Sequence, residues 1–418
     1  MRSNFFHLYA DVVWYGVLAG SAIAFIAIYI TRLGANAFQV SLLTAGPAVV
    51  NLLFSLPAGR WLENRAVITA SFWSALWHRL GYMIIIFLPW LFIGRGQVMA
   101  VVWVTLLMSV PGTILAISFN AAFADIVPPE SRGDVVGKRN ALLAVSMTLT
   151  TLLCGWLLDW ITFPLNYQIV FGLGAYGGLM STFHLSRLRQ EQPNPVRVNQ
   201  PIGDLVRPGT PRFVDTFRLP AGLRFLTRRA GKPLLRLDLL RSSFGPFMAA
   251  YLLFYTFQYL PLPLFPLTIV RSLKLSDGTI SLGNGIFYLS MFLVSLRLGR
   301  VSGRFSHRRI LVASAFLYGL YPLLIGLAKG PELYLLAALE GGSVWALVSA
   351  ALINRLMERV PEDERPAHMA LHNLTLNLGI LAGSLAGPFL SLQIGLQPAL
   401  LIGAGLRFLA GVFLLLWG

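Results

Sequence analysis

Apolar runs about 20 residues long recur throughout this 418-residue chain. A helix of that length crosses a hydrocarbon layer of ~30 Å. Lipid offers no partner to an open backbone N–H or C=O, so each run is confined to a helix. Of all residues, 56% are hydrophobic and 12% charged, the latter roughly half the soluble norm. The expected fold class is all-α: a polytopic membrane protein of twelve transmembrane helices in two six-helix bundles. The spans are placed at 5–29, 39–59, 66–93, 98–120, 139–160 and 166–185, then at 239–270, 279–303, 310–328, 332–357, 367–392 and 397–417.

Between the two sets lies a polar segment rich in arginine and broken by Pro193, Pro195, Pro201, Pro208, Pro211, Pro220 and Pro233. It is too short and too interrupted to build its own core. Residues 1–187 and 237–418 therefore read as the two bundles, and 188–236 as a basic linker. Within the linker, Leu219, Leu223 and Leu226 share one helical face among Arg224, Arg228 and Arg229. A short helix lying on an anionic leaflet fits this pattern, and so does a disordered connector.

The net charge of +16 invites a nucleic-acid reading, but its distribution answers otherwise. With both termini cytoplasmic, inside segments outnumber outside loops in Lys and Arg by roughly five to one, the bias that orients membrane helices. The outside loops hold Arg32, Arg95, Arg271, Lys274 and Lys329. The expected location is the inner membrane of a prokaryote, with the lipid bilayer as partner, no nucleic acid, and a monomer as the working unit. A single cysteine, Cys154, excludes an internal disulfide. No removable signal peptide is read at the start.

The halves echo one another. Val127, Pro128, Arg132 and Asn140 recur 233 positions later as Val360, Pro361, Arg365 and Asn373. Gly59-Arg60-Trp61 with Arg65 recurs as Gly303-Arg304-Phe305 with Arg309. Arg32 with Ser41-Leu42 recurs as Arg271 with Ser281-Leu282. Three echoes in one order imply a six-plus-six duplication.

A duplicated six-helix chain with a basic central linker resembles the major facilitator superfamily of secondary transporters. Its most specific local piece is the loop Gly59-Arg60-Trp61-Leu62-Glu63-Asn64-Arg65, where Glu63 stands in for the family's usual acid. The second copy keeps Gly303, Arg304 and Arg309 but has no acid. The fourth span lacks the arginine common in the family, and the fifth has only Cys154-Gly155 where drug antiporters are often Gly-Pro rich. The resemblance implies two bundles around a central cavity lined by spans one, four, seven and ten, with a mid-membrane site exposed alternately to each side.

Glu340 lies eight residues into the tenth span, about 12 Å deep, where a carboxylate is costly and faces protein or water. A substrate or coupling-ion role and a fixed pair with a neighbouring helix both fit. Asp11 is a cavity candidate, or an acid favoured near a helix N-terminus. Tyr251, Tyr255 and Tyr259 share a helix face beside Gln258, either as site groups or as packing. Pro261, Pro263 and Pro266 should open the helix just beyond them. Asn120 and Trp345 complete the substrate or coupling-ion set. Gating candidates are Gly59, Glu63, Arg65, Gly303, Arg304, Arg309, Arg132 and Arg365, which could form a charged network at the inner surface. To these are added Gly379, Gly383 and Gly387, spaced for close helix approach. His78, Arg79 and Arg407 fall within supposed support helices, where interhelical pairing is expected.

No zinc-spaced histidines, phosphate-cradling glycine loop or nucleotide-binding domain is found, so no enzyme, cofactor or metal is expected. The reading is a secondary active transporter of a small organic solute, coupled to a proton or another cation, leaning to efflux because aromatics outnumber charges on the presumed cavity helices. Uptake of a small anionic metabolite, or a lipid flippase or scramblase-like role, are the alternatives.

Overall fold

The computed structural model describes residues 2–62, 65–128, 131–189, 236–361 and 364–418. The first half contains α1 (Ser3–Arg32), α2 (Ala37–Leu62), α3 (Val67–Leu91), α4 (Arg95–Ile126), α5 (Arg132–Trp160) and α6 (Leu165–Ser186). The second contains α7 (Phe244–Ser272), α8 (Asp277–Ser295), α9 (His307–Leu327), α10 (Pro331–Arg359), α11 (Arg365–Ile394) and α12 (Leu396–Trp417). Among the described residues, eleven of these are long and apolar enough to cross a membrane by composition alone. The exception is α6, which buries Asn166, Gln168, Ser181 and Thr182 against its neighbours. The linker lies outside the described residues from 190 to 235.

Polar side chains at the junctions start the helices. Asn36 Oδ1 accepts from Gln39 N at 2.8 Å while Gln39 Oε1 accepts from Asn36 N at 2.9 Å, a reciprocal capping box opening α2. Ser276 and Ser306 cap α8 and α9 with their hydroxyls. Between α11 and α12 the chain turns at Gly395 with φ +89°, a conformation costly for any side-chain-bearing residue.

In the first half α1 packs on α5 and α6, α3 on α4 and α6, and α2 on α4. In the second half α7 packs on α11 and α12, α8 on α10, and α9 on α10 and α12. The halves meet through α5 against α8 and α2 against α11. One face of the molecule holds the α2–α3, α4–α5, α8–α9 and α10–α11 junctions, where arginines concentrate; it is called the basic face here, and the opposite one the far face.

Two helices are broken where the sequence removes backbone donors. α7 stops at Tyr259, turns through Pro261 and Pro263, and resumes at Leu264. α9 is interrupted between Leu317 and Leu320, and Pro322 has no N–H to offer the Tyr318 carbonyl. α1 stays continuous but widens by a residue at Ala19–Ile23, where Thr151 Oγ1 donates to the Gly20 carbonyl at 2.9 Å.

Candidate functional site

Glu340 is half-buried on α10, but both of its carboxylate oxygens are out of solvent contact and without a hydrogen-bond partner. Its surroundings are aromatic. The next residue, Gly341, is pressed against the Tyr321 and Phe287 rings. One turn on, Trp345 lies 5.4 Å from the Tyr318 ring. The cation within electrostatic reach is Arg407 of α12, yet no hydrogen bond joins the two.

Arg407 is itself buried and engaged elsewhere. It donates to the Gln258 carbonyl at 2.6 Å and to the Tyr318 carbonyl at 3.2 Å. Both acceptors lie at helix breaks, one in α7 and one in α9. Its guanidinium also lies 4.2 Å over the Tyr318 ring. Charge-assisted bonds to freed carbonyls replace the lost helical ones.

The remaining candidates are distributed unevenly. Gln258 is buried at the α7 break and supplies the carbonyl just described, with Tyr259 beside it, half-buried. Tyr251 and Tyr255 are deep in the second half. Tyr251 donates to the Leu352 carbonyl at 2.8 Å, and the Tyr255 hydroxyl meets His372 Nε2 at 2.9 Å. Asn120, half-buried near the basic end of α4, stands in the other half and is not brought into the Glu340 group.

Asp11 sits in the interior of the first half, fully buried. Arg139 meets it at 3.1 Å and Arg79 at 3.8 Å, and Ser181 donates a further hydrogen bond. Arg79 also donates to Thr182 at 2.6 Å. This cluster ties α1, α3, α5 and α6 together. The span estimate beginning at Arg139 needs correction: α5 starts at Arg132, so Arg139 is two turns inside the bundle. Tyr255 and His372 join the first and fifth helices of the second half much as Asp11 and Arg139 join those of the first.

At the basic face, Arg132 is buried and donates to the Val127 and Ala124 carbonyls at 2.9 and 2.6 Å. Arg65 lies 4.3 Å over the Trp61 ring, and Gly59 is buried one turn before Leu62. Gly303, Arg304 and Arg309 are exposed. Glu63 and the side chain of Arg365 lie outside the described residues. Gly379, Gly383 and Gly387 face α7 of their own half: a Cβ there would run into Tyr255, Thr256 and Leu260. These glycines seat the broken part of α7 rather than the seam between halves.

The seam is made by glycines that carried no such expectation. Gly155 of α5 abuts Ser281 and Gly278 of α8, and Gly285 abuts Leu152. Near the far face, Arg32 bonds Asp277 at 3.0 Å and the Leu275 carbonyl at 2.8 Å. Tyr167 donates to the same carboxylate at 2.9 Å. Arg271 donates back to the Ala35 carbonyl at 2.6 Å, and Asp159 accepts from Gly278 N at 2.9 Å. Thr44 and Ser384 bond across α2 and α11 at 2.9 Å. Each contact crosses from one half to the other, so the far side is closed. The sequence marked Arg32 and Arg271 only as a duplication echo and as outside-loop residues, and nothing in it marked them, Asp277 or Tyr167 as a latch.

Two duplicated six-helix bundles, closed together at one face and holding an unpaired carboxylate among broken helices, define a secondary transporter. The chain belongs to the major facilitator superfamily, whose family model matches residues 13–249 and again 247–418. No curated protein matches the chain. Among solved structures, the nucleoside transporter NupG, in a form carrying a point substitution, aligns with TM-score 0.70 at 12% identity over 99% of each chain. A bacterial homologue of the iron transporter ferroportin in its inward-facing state gives 0.71 at 14% identity, over 100% of this chain and 98% of that one. A bacterial ferroportin homologue facing outward gives 0.62 at 14% identity over 99% of each chain. At these identities the likeness is one of fold.

Proposed function

We propose that this chain is a proton-coupled exporter of a small amphipathic organic solute, with Glu340 as the group that takes up and releases the coupling proton. The observation that carries the reading is the Glu340 carboxylate, buried on α10 with no hydrogen-bond partner for either oxygen. An ionised carboxylate without partners in such surroundings is expensive. A protonated one is neutral, so occupancy by a proton decides whether the group tolerates seclusion or needs water, a solute or Arg407 beside it.

The closed Arg32–Asp277 latch at the far face and the better superposition on an inward-facing than an outward-facing relative support an inward-open reading. The Lys and Arg distribution supports a cytoplasmic basic face. In this scheme solute enters from the basic face as Glu340 gives up its proton inward. The far latch then opens, and a proton from the far side displaces the solute. The aromatic walls, Trp345, Tyr318 and Tyr321, favour a solute with an apolar ring system.

The test is proton flux into dye-loaded proteoliposomes challenged with a panel of aromatic amines, aromatic acids and neutral aromatics. At least one solute should drive flux through the unmodified protein. Glu340→Gln should abolish the flux while still showing a solute-induced thermal shift. Undiminished solute-driven proton flux in Glu340→Gln removes the residue from the coupling step.

A further inference from the structure

The stretch from Gly278 to Lys329 contains no Asp or Glu, yet it holds Arg297, Arg300, Arg304, Arg308 and Arg309 at the junction of α8 and α9. A short helix, Leu298–Arg304, crosses this junction. Arg297, Arg300 and Arg304 are spaced three and four apart, which puts them on one helical face. All five arginines are exposed. Arg308 is tied to the Leu415 carbonyl at 2.6 Å. Among the described residues the other four have no ion pair. Glu358, at the adjoining end of α10, is already taken by Arg355 at 2.8 Å and faces His307 at 4.0 Å.

The charge bias that orients membrane helices accounts for basic residues on this face, but not for five of them in one junction without an acid. Arg308 and Arg309 stand in the first turn of α9, where the helix dipole disfavours cations. The arginines also repel one another. In the equivalent junction of the first half, Arg65 has the Trp61 ring for company and the sequence supplies Glu63. The second copy has neither acid nor indole.

What surrounds the arginines is apolar. Leu296 and Phe305, at either end of the short helix, are 64% and 53% exposed. Trp417, two residues beyond the Leu415 carbonyl, is half exposed and stacked on Phe413. Exposed aromatics beside a helix end mark the level of the lipid headgroups. The patch is thus a row of guanidiniums at headgroup height, with an apolar side chain at each end to enter the acyl layer.

We propose that this junction is a binding site for anionic phospholipid headgroups, with Arg297, Arg300 and Arg304 contacting the phosphodiester and Leu296 and Phe305 anchoring in the acyl region. Guanidinium suits this task because its planar fork binds phosphate oxygens in pairs. The other occupant within the chain would be the linker. Residues 190–235 hold Arg197, Arg207, Arg212, Arg218, Arg224, Arg228, Arg229 and Lys232 against Glu191, Asp204 and Asp215, so their own charge opposes it.

The site is tested with the full chain in neutral detergent, by native mass spectrometry and lipid titration with phosphatidylglycerol and phosphatidylcholine. Phosphatidylglycerol should bind at least tenfold more tightly. Arg297→Gln/Arg300→Gln/Arg304→Gln should bring the preference close to unity, since each arginine contributes up to about fivefold, while the lysine triple variant, which keeps the charge but not the planar fork, retains part of it. Equal binding of the two lipids, or a full preference in the glutamine variant, overturns the proposal. Competition by inorganic phosphate at the lipid's own concentration would make this a free-anion site and overturns it also. The unmodified protein gives a readout independent of any variant: its preference must fall as salt rises, and a preference indifferent to salt is equally fatal.

Discussion

Arg407 on α12 donates to the Gln258 carbonyl on α7 at 2.6 Å, with its other terminal nitrogen on the Tyr318 carbonyl of α9 at 3.2 Å. One side chain therefore closes two interrupted helices, and it does so beside the carboxylate assigned the coupling proton. Any movement of Arg407 towards Glu340 would strip a carbonyl at one break or both.

Arg407→Met should leave both carbonyls without their charged donor. Hydrogen bonds of this kind contribute about 1.5–3 kcal/mol each, so a loss of at least ~3 kcal/mol is expected. Arg407→Lys keeps the charge but offers one compact ammonium, which cannot serve two carbonyls on different helices, and should fall between. Unfolding midpoints in detergent order the three proteins. Hydrogen–deuterium exchange should rise across residues 256–268 in the Met variant. Unchanged exchange there would mean that the breaks do not depend on Arg407.

Asp277→Asn should open the far face. The substitution removes the charge shared by Arg32 and Tyr167 while keeping the volume. Asp277 and Tyr167 are buried but Arg32 is partly exposed, so the coupling is modest, on the order of 1–2 kcal/mol, or about a five- to thirtyfold shift in the balance of states. Spin labels at Phe38 and Lys274, in a Cys154→Ser background, report the separation of the two halves. A distance distribution that does not lengthen in the variant counts against the latch.

Gly383→Ala and Gly387→Ala should each cost about 1–3 kcal/mol through overpacking, because the added methyl meets the Thr256 and Leu260 carbonyls of α7. Gly303→Ala is the control: nothing lies within 4 Å of its Cβ position, and the change should stay within about 0.5 kcal/mol. Thermal melting in one detergent compares all three. Equal stabilities would show that α11 does not seat α7.

Asp11→Ala should be among the most damaging single changes in the first half. It leaves Arg79 and Arg139 buried together without their carboxylate, and breaking such a pair costs about 3–5 kcal/mol. Asp11→Leu combined with Arg139→Met should recover part of that loss, since the pair is removed together. Purification yield and melting temperature read both. A double variant less stable than Asp11→Ala contradicts the pairing.

The helical architecture was legible because each span is long, apolar and separated by charge, and lipid permits little else. The α7 break was legible from Pro261 and Pro263. Glu340 stood out because a lone acid in an apolar run is rare. Other features left no local signal. Arg407 acts on backbone carbonyls, which every residue has, and its Gln258 partner is 149 positions away. Asp277 sits where a helix begins, which is reason enough for an acid, so its service to Arg32 is invisible until the halves are assembled. The same applies to Gly155: a solitary glycine in a span has no preferred partner until Ser281 is placed against it.

The two halves join their first and fifth helices by different chemistry, Asp11 with Arg139 in one and Tyr255 with His372 in the other. The difference bears on how each half can drift over generations. A charged buried pair constrains both positions: removing Asp11 alone strands Arg139, at about 3–5 kcal/mol. Tyr255 and His372 share a single hydrogen bond, and losing one partner of such a bond costs less, about 1–3 kcal/mol. Substitution is therefore better tolerated at the α7–α11 joint than at the α1–α5 joint, and the second half, which also contains both broken helices, is the more deformable of the two at this position.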